Sequence, residues 1–180
     1  LLQVTLRIWS TRRRVMVDFK KLPSTGTALA FIPGTGEDLC LGMENGSVAV
    51  LDRTLQVVTA FQHSRQPISS IKFSPNRKLL AVGSKDTNIY LYSVPAENGT
   101  PAYSRLGVCR GHAAPITHLD FSFDSRFIQS NDESYKLMFW NKWGDLQTHG
   151  MNGKITNQTK WATITCTLGW ECAGMWAGRY

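Results

Sequence analysis

The sequence predicts an all-β chain built from repeated four-stranded antiparallel blades. Three observations predict it. Four short apolar stretches end in a bulky residue, at Trp9, Leu51, Tyr92 and Trp140, spaced 42, 41 and 48 residues apart. Nine residues before the later three stand Gly42, Gly83 and Asn131, each closing a second strand-like stretch. A third stretch lies upstream of each and ends in Phe31, Phe73 and Phe121. Short strands and small turns recurring every ~40–48 residues make a blade of four antiparallel strands, which buries its faces only against its neighbours.

The elements follow in order. The chain opens without Met on Leu6-Arg7-Ile8-Trp9, with Val15–Phe19 after it as an outer strand. Residues 1–26 are therefore expected to be the inner and outer strands of a preceding blade, in a fragment of something longer. Residues 27–62 form the next blade, with an outer strand at about Leu55–Phe61 and Asn45-Gly46 expected as a type I′ turn. Residues 63–110 form another, with Lys85-Asp86-Thr87 as its turn and Ser104–Arg110 as its outer strand. Residues 111–150 form a third. Residues 151–180 are a strand-rich extension. There Ala162, Ile164, Cys166 and Leu168 alternate with Thr163, Thr165 and Thr167, which predicts a strand over Trp161–Leu168 and a turn near Gly169. Propellers close with about 4–8 blades, so this stretch does not close a ring by itself.

Composition narrows the function classes. A 180-residue chain that is 42% hydrophobic and 18% charged is expected to fold, not to remain disordered. No run reaches the ~20 apolar residues of a membrane-spanning helix, and no membrane partner is expected. Cys40, Cys109, Cys166 and Cys172 make no CxxC pair, and His63, His112, His118 and His149 do not cluster at metal-ligand spacing. Gly34-Thr35-Gly36 lacks the lysine and following helix of a phosphate loop, so neither metal nor cofactor is expected. His118 and Asp120 sit two apart on one expected strand and could share a face, but no nucleophile accompanies them, and structural hydrogen bonding is expected in place of hydrolysis. Trp143, Trp161, Trp170 and Trp176 crowd the C-terminal part without alternating with lysines, which favours packing over nucleic-acid stacking. Three sequons, at Asn45, Asn98 and Asn157, read as surface turns.

Gly111-His112, Ile116–Ser122 and Trp140 resemble a WD40 repeat, and the fold implied is a partial WD40 β-propeller. The resemblance implies a buried chain joining His112 and Trp140 to a turn aspartate and a strand hydroxyl. The aspartate position is held by Asp86 in the second copy but by Ser134 in the third, which leaves Asp132 as a displaced substitute and predicts a weaker or water-bridged chain there. Gly111–Ser122, Phe127–Asn131 and Trp161–Trp170 together are similar to the echinoderm microtubule-associated protein-like family. The pattern departs after Trp176, where Ala177 stands in place of a proline. What this resemblance implies is a non-catalytic interaction module of the cytoplasm and cytoskeleton, with tubulin and microtubules as partners and other proteins on the propeller faces. A generic WD40 scaffold in a ciliary or signalling complex, with no tubulin contact, is the alternative.

Charge suggests where an acidic partner would bind. Of the net +7, five units lie in residues 1–21, where Arg12, Arg13, Arg14, Lys20 and Lys21 are expected to form one basic turn facing tubulin's acidic surface.

Overall fold

A computed structural model describes residues 4–34, 38–95, 102–147, 159–169 and 172. It is all-β among those residues. β1 (Thr5–Ser10) pairs with β2 (Val15–Lys21) in a two-stranded sheet. Three four-stranded sheets follow in simple up-and-down order. Blade 1 comprises β3 (Gly26–Phe31), β4 (Leu39–Met43), β5 (Ser47–Leu51) and β6 (Val57–Gln62). Blade 2 comprises β7 (Ile68–Phe73), β8 (Leu79–Ser84), β9 (Ile89–Ser93) and β10 (Ser104–Cys109). Blade 3 comprises β11 (Ile116–Phe121), β12 (Phe127–Asp132), β13 (Leu137–Asn141) and β14 (Leu146–Gln147). Every pairing is antiparallel.

The second strand of each blade, β4, β8 and β12, is buried along its whole length. Both faces of these strands are covered, blade 1 by β1 and blade 2, blade 2 by blades 1 and 3, and blade 3 by blade 2 and residues 159–169. One core cluster joins Cys40, Val48 and Val50 of blade 1 to Ile68, Ile71, Leu80 and Tyr92 of blade 2. A second joins Ala81, Ile89 and Leu91 of blade 2 to Ile116, Leu119, Phe121 and Trp140 of blade 3. Each fully buried Ile or Leu in these seams contributes about 1.5–3 kcal/mol. Glycine sets the closeness of the approach. A Cβ on Gly42 would stand 2.5 Å from Ile68 Cγ2, and one on Gly83 would stand 2.8 Å from Ile116 Cγ2.

Two expectations need correction. At the β4–β5 turn only Gly46 has positive φ, at 83°, and its N–H donates to Met43 O at 3.0 Å. A type I′ turn needs positive φ at Asn45 as well, so this is a three-residue loop with Gly46 in the left-handed position. Thr87 and Tyr135 take that position in blades 2 and 3, at φ 73° and 63°. Finally, Trp161–Leu168 is not a strand: it makes one bridge, Ser122 to Trp161, and then leaves the ladder. The expected turn is there, with Gly169 N–H donating to Cys166 O at 2.9 Å. His149, Asn98, Asn157, Trp170, Trp176, Ala177 and most of 151–180 lie outside the described residues.

Candidate interaction site

Up-and-down topology divides the turns between two edges. Turns joining first to second strands and third to fourth strands share one edge. Turns joining second to third strands, and the links between blades, share the other. Arg12, Arg13 and Arg14 form the exposed β1–β2 turn on the first edge. Lys20 and Lys21 lie at the opposite end of β2, where Lys21 pairs with Thr5 while Val15 pairs with Ser10. At about 3.3 Å per residue, the strand between them separates the two groups by roughly 20 Å. The five cations are therefore not one turn. Antiparallel pairing of β1 and β2 carries the chain away from its own turn, and proximity in sequence does not survive it.

On the second edge, His112 sits in the link between β10 and β11, 6% exposed. Its Nδ1 lies 2.7 Å from Asp132 Oδ2 and its Nε2 lies 2.7 Å from Ser130 Oγ. Trp140 Nε1–H donates to the same Ser130 Oγ at 2.7 Å. The chain is direct, not water-bridged as expected from the displaced aspartate. Asp132 serves because its other oxygen, Oδ1, accepts the Ser134 N–H at 3.0 Å and the Lys136 N–H at 2.9 Å, so one carboxylate holds the histidine and caps the β12–β13 turn. Burial opposes the charge on Asp132, but the Lys136, Ser134 and His112 bonds prevail and hold its pKa at about 2. Burial lowers the pKa of His112, against the pull of Asp132.

Blade 2 divides the same parts differently. Asp86 Oδ2 accepts the Tyr90 hydroxyl at 2.7 Å, His63 Nδ1 lies 3.0 Å from the Tyr92 hydroxyl, and Ser64 and Ser84 pair at 2.9 Å. Asp86 thus engages a tyrosine, not the blade's histidine. Tyr92 stands where Trp140 stands in blade 3, which removes the indole donor around which the blade 3 chain is built.

Asp120 is fully buried on β11 and collects a cage of donors from the segment 159–169. Its oxygens accept the Thr163 hydroxyl, the Thr165 N–H and hydroxyl at 2.8 Å each, and the Cys166 N–H at 2.8 Å. Gln129 Nε2 adds a bond at 3.3 Å, and Lys72 Nζ of blade 2 stands 4.0 Å away. With its oxygens so occupied, Asp120 holds this strap against blade 3, while His118 on the same strand is exposed. The pair carries no hydrolytic geometry. The strap also covers the face that other blades present to a neighbour: Leu168 N–H donates to Asn131 Oδ1 at 3.2 Å, at the position matching Gly42 and Gly83. Sequence reasoning missed this latch. Its signal was the hydroxyl alternation Thr163, Thr165, opposite an aspartate on an inner strand.

The architecture and sequence both have known counterparts. The family model for the second β-propeller of echinoderm microtubule-associated protein matches residues 3–180. Echinoderm microtubule-associated protein-like 3 of Mus musculus is 35% identical over 172 residues, covering 95% of this chain and 19% of the relative. The 77 kDa echinoderm microtubule-associated protein of Lytechinus variegatus is 36% identical over 159 residues, covering 88% of this chain and 23% of the relative. The chain thus spans 19–23% of the length of these relatives. Among solved structures, the β-propeller domain of Cps50 (Swd1) from Myceliophteria thermophila superposes with a TM-score of 0.66 at 19% identity, over 80% of this chain and 51% of that one. The computationally designed Ika4 protein gives 0.59 at 21% identity, over 77% and 78%. At such identities the two structures speak to the fold alone.

Proposed function

The chain belongs to the echinoderm microtubule-associated protein family, and from that premise we propose that it is a non-catalytic interaction module of a microtubule-associated protein, binding microtubules and organising the cytoskeleton in the cytoplasm. The observation that carries this reading is the match to a propeller of that family along residues 3–180, together with relatives named as microtubule-associated proteins that align over 88–95% of the chain. Its physical support is charge. Exposed cations on turns attract an acidic surface such as that of tubulin, each pair weakly and the set collectively. The test is co-pelleting of the full-length protein with polymerised tubulin. The expected result is a bound fraction that is high at low salt and falls as salt screens the contacts. Protein that stays in the supernatant at low salt overturns the reading and leaves a scaffold that does not touch tubulin.

A further inference from the structure

Cations recur around the edge that carries Arg12–Arg14. Arg53 is exposed in the β5–β6 turn, Arg77 and Lys78 in the β7–β8 turn, Arg126 in the β11–β12 turn and Lys142 in the β13–β14 turn. Lys160 lies beside them, its carbonyl accepting the Phe123 N–H at 2.8 Å. These turns adjoin across blades: Asn76 N–H donates to Ser125 Oγ at 3.1 Å, and the Arg77 guanidinium lies against Gly34. The neighbouring carboxylates are tied into their own loops. Asp52 accepts the Thr54 and Gln56 N–H groups, Asp124 accepts the Ser122 hydroxyl and the Arg126 N–H with its other oxygen in a long, exposed 4.0 Å pair with Arg126 Nε, and Asp145 accepts Asn141 Nδ2. The opposite edge carries fewer cations, Lys20, Lys21, Arg65, Lys85, Arg110 and Lys136, interspersed with Glu44, Asp86 and Glu133.

At blade 3 this basic edge gains apolar anchors. Trp143 is 57% exposed and Phe123 71% exposed. Lys142 Nζ stands 5.0 Å from the Trp143 ring centroid, and Arg126, Phe127, Lys142 and Trp143 line one shallow cavity. An exposed tryptophan flanked by arginine and lysine has the composition of an interface hot spot.

We propose that the Arg12 edge is a docking surface for an acidic polypeptide segment, seated at blade 3 with its apolar side chains on Trp143 and Phe123 and its carboxylates on Arg126, Lys142 and Lys160. This rests on the reading of the chain as an interaction module and names the edge and the partner chemistry. Nucleic acid fits the charge, but it fits less well the absence of a basic-aromatic stripe along any one described strand.

The test measures binding of fluorescent poly-glutamate to the full-length protein by anisotropy. Charge reversal of Arg126, Lys142 and Lys160 to Glu is expected to weaken binding at least about tenfold at low salt, with the gap narrowing as salt rises. Trp143→Ala is expected to leave poly-glutamate binding little changed but to weaken severalfold, at every salt concentration, the binding of a glutamate peptide that carries interspersed leucines. All four side chains are exposed, and an unchanged circular dichroism spectrum checks folding. Lys142→Glu alone, expected to give part of the loss, repeats the test with one substitution. Reversal of Arg65, Lys85 and Lys136 on the other edge is expected to leave binding unchanged. Equal losses from both edges, no loss from the triple variant, or tighter binding of single-stranded RNA than of poly-glutamate overturns the proposal. Tubulin pelleting separates the two readings. If the triple variant pellets like wild type, the edge is wrong and the microtubule reading stands. If poly-glutamate binds at this edge while wild type does not pellet, the reverse holds.

Discussion

Among single residues, His112 concentrates the polar chemistry of blade 3. Asp132, with its pKa held at about 2, is an acceptor only, so the histidine must carry its proton on Nδ1. Nε2 then accepts the Ser130 hydroxyl, whose oxygen in turn accepts the Trp140 N–H. The imidazole is neutral in this arrangement, in keeping with a pKa lowered by burial. The unfolded chain, by contrast, protonates its histidine near the ordinary value of about 6.5. The contribution of His112 is therefore complete above that pH and is lost as pH falls below it. His63, lowered by burial and by Arg105, shares the window. Asp132 adds a second loss lower down, beginning in the ordinary carboxylate range and continuing toward pH 2. Urea midpoints of the full-length protein are expected to decline from pH 7 to 5 and again below 4. His112→Ala should lower stability at pH 7.5 by about 1–3 kcal/mol, because it leaves Asp132 Oδ2 without its donor in a buried site. It should also flatten, without abolishing, the decline between pH 7 and 5. An unchanged slope there would assign the proton uptake elsewhere.

Among elements, the strap over 159–169 shows why alternation alone did not predict a strand. The period-2 pattern from Ala162 to Leu168 does not sort burial: Cys166 is buried, but Ala162, Ile164 and Leu168 of the same expected face are exposed like Thr163 and Thr167. Strand pairing also needs a partner backbone in register. β11 offers one only at its end, where Ala162 N–H donates to Phe121 O at 2.8 Å. Beyond that point the Asp120 carboxylate takes the Thr165 and Cys166 N–H groups that a ladder would have used, as short acidic side chains do when they compete with a neighbouring backbone. A sequence contains both residues but not the distance between them, 45 positions apart. The same limit hid the split of Arg12–Arg14 from Lys20–Lys21, while local signals such as the repeated Phe and terminal aromatics came through intact. Asp120→Asn keeps the volume but replaces one acceptor oxygen with a donor facing the N–H and hydroxyl donors of the strap. It should loosen the strap and expose the Cys166 thiol, which is fully buried and pushed well above its ordinary pKa by burial and by Asp120. Labelling of Cys166 by a disulfide reagent, read by mass spectrometry on native protein, is expected to accelerate at least about tenfold, in line with loss of one or two charge-assisted bonds. Equal rates in both proteins would mean that packing, not Asp120, holds the segment.

In the whole molecule, the blades stay together through side chains of one first strand pressed onto the second strand before it. Gly42 faces Ile68 and Ile71 in the first seam, and Gly83 faces Ile116 and Leu119 in the next. The third member of that register, Asn131, has its side chain bonded to the strap. This pattern makes the seams, not the individual sheets, the steric limit on stability. A methyl at Gly83 would stand 2.8 Å from Ile116 Cγ2 and 3.3 Å from Leu119 Cδ1, closer than carbon atoms tolerate without one blade moving outward. Ile116 is 1% exposed and Leu119 fully buried, so neither has room to retreat. Gly83→Ala is therefore expected to cost about 1–3 kcal/mol as overpacking. Ile116→Ala, which leaves a cavity in the same seam, should cost about 2–5 kcal/mol. Combined, the two should cost less than their sum, because the added methyl enters space that the isoleucine vacates. Denaturant midpoints for wild type, both single variants and the double variant of the full-length protein measure that coupling. A double variant whose loss equals the sum would show that the two residues do not press on each other and that the blades meet through other contacts.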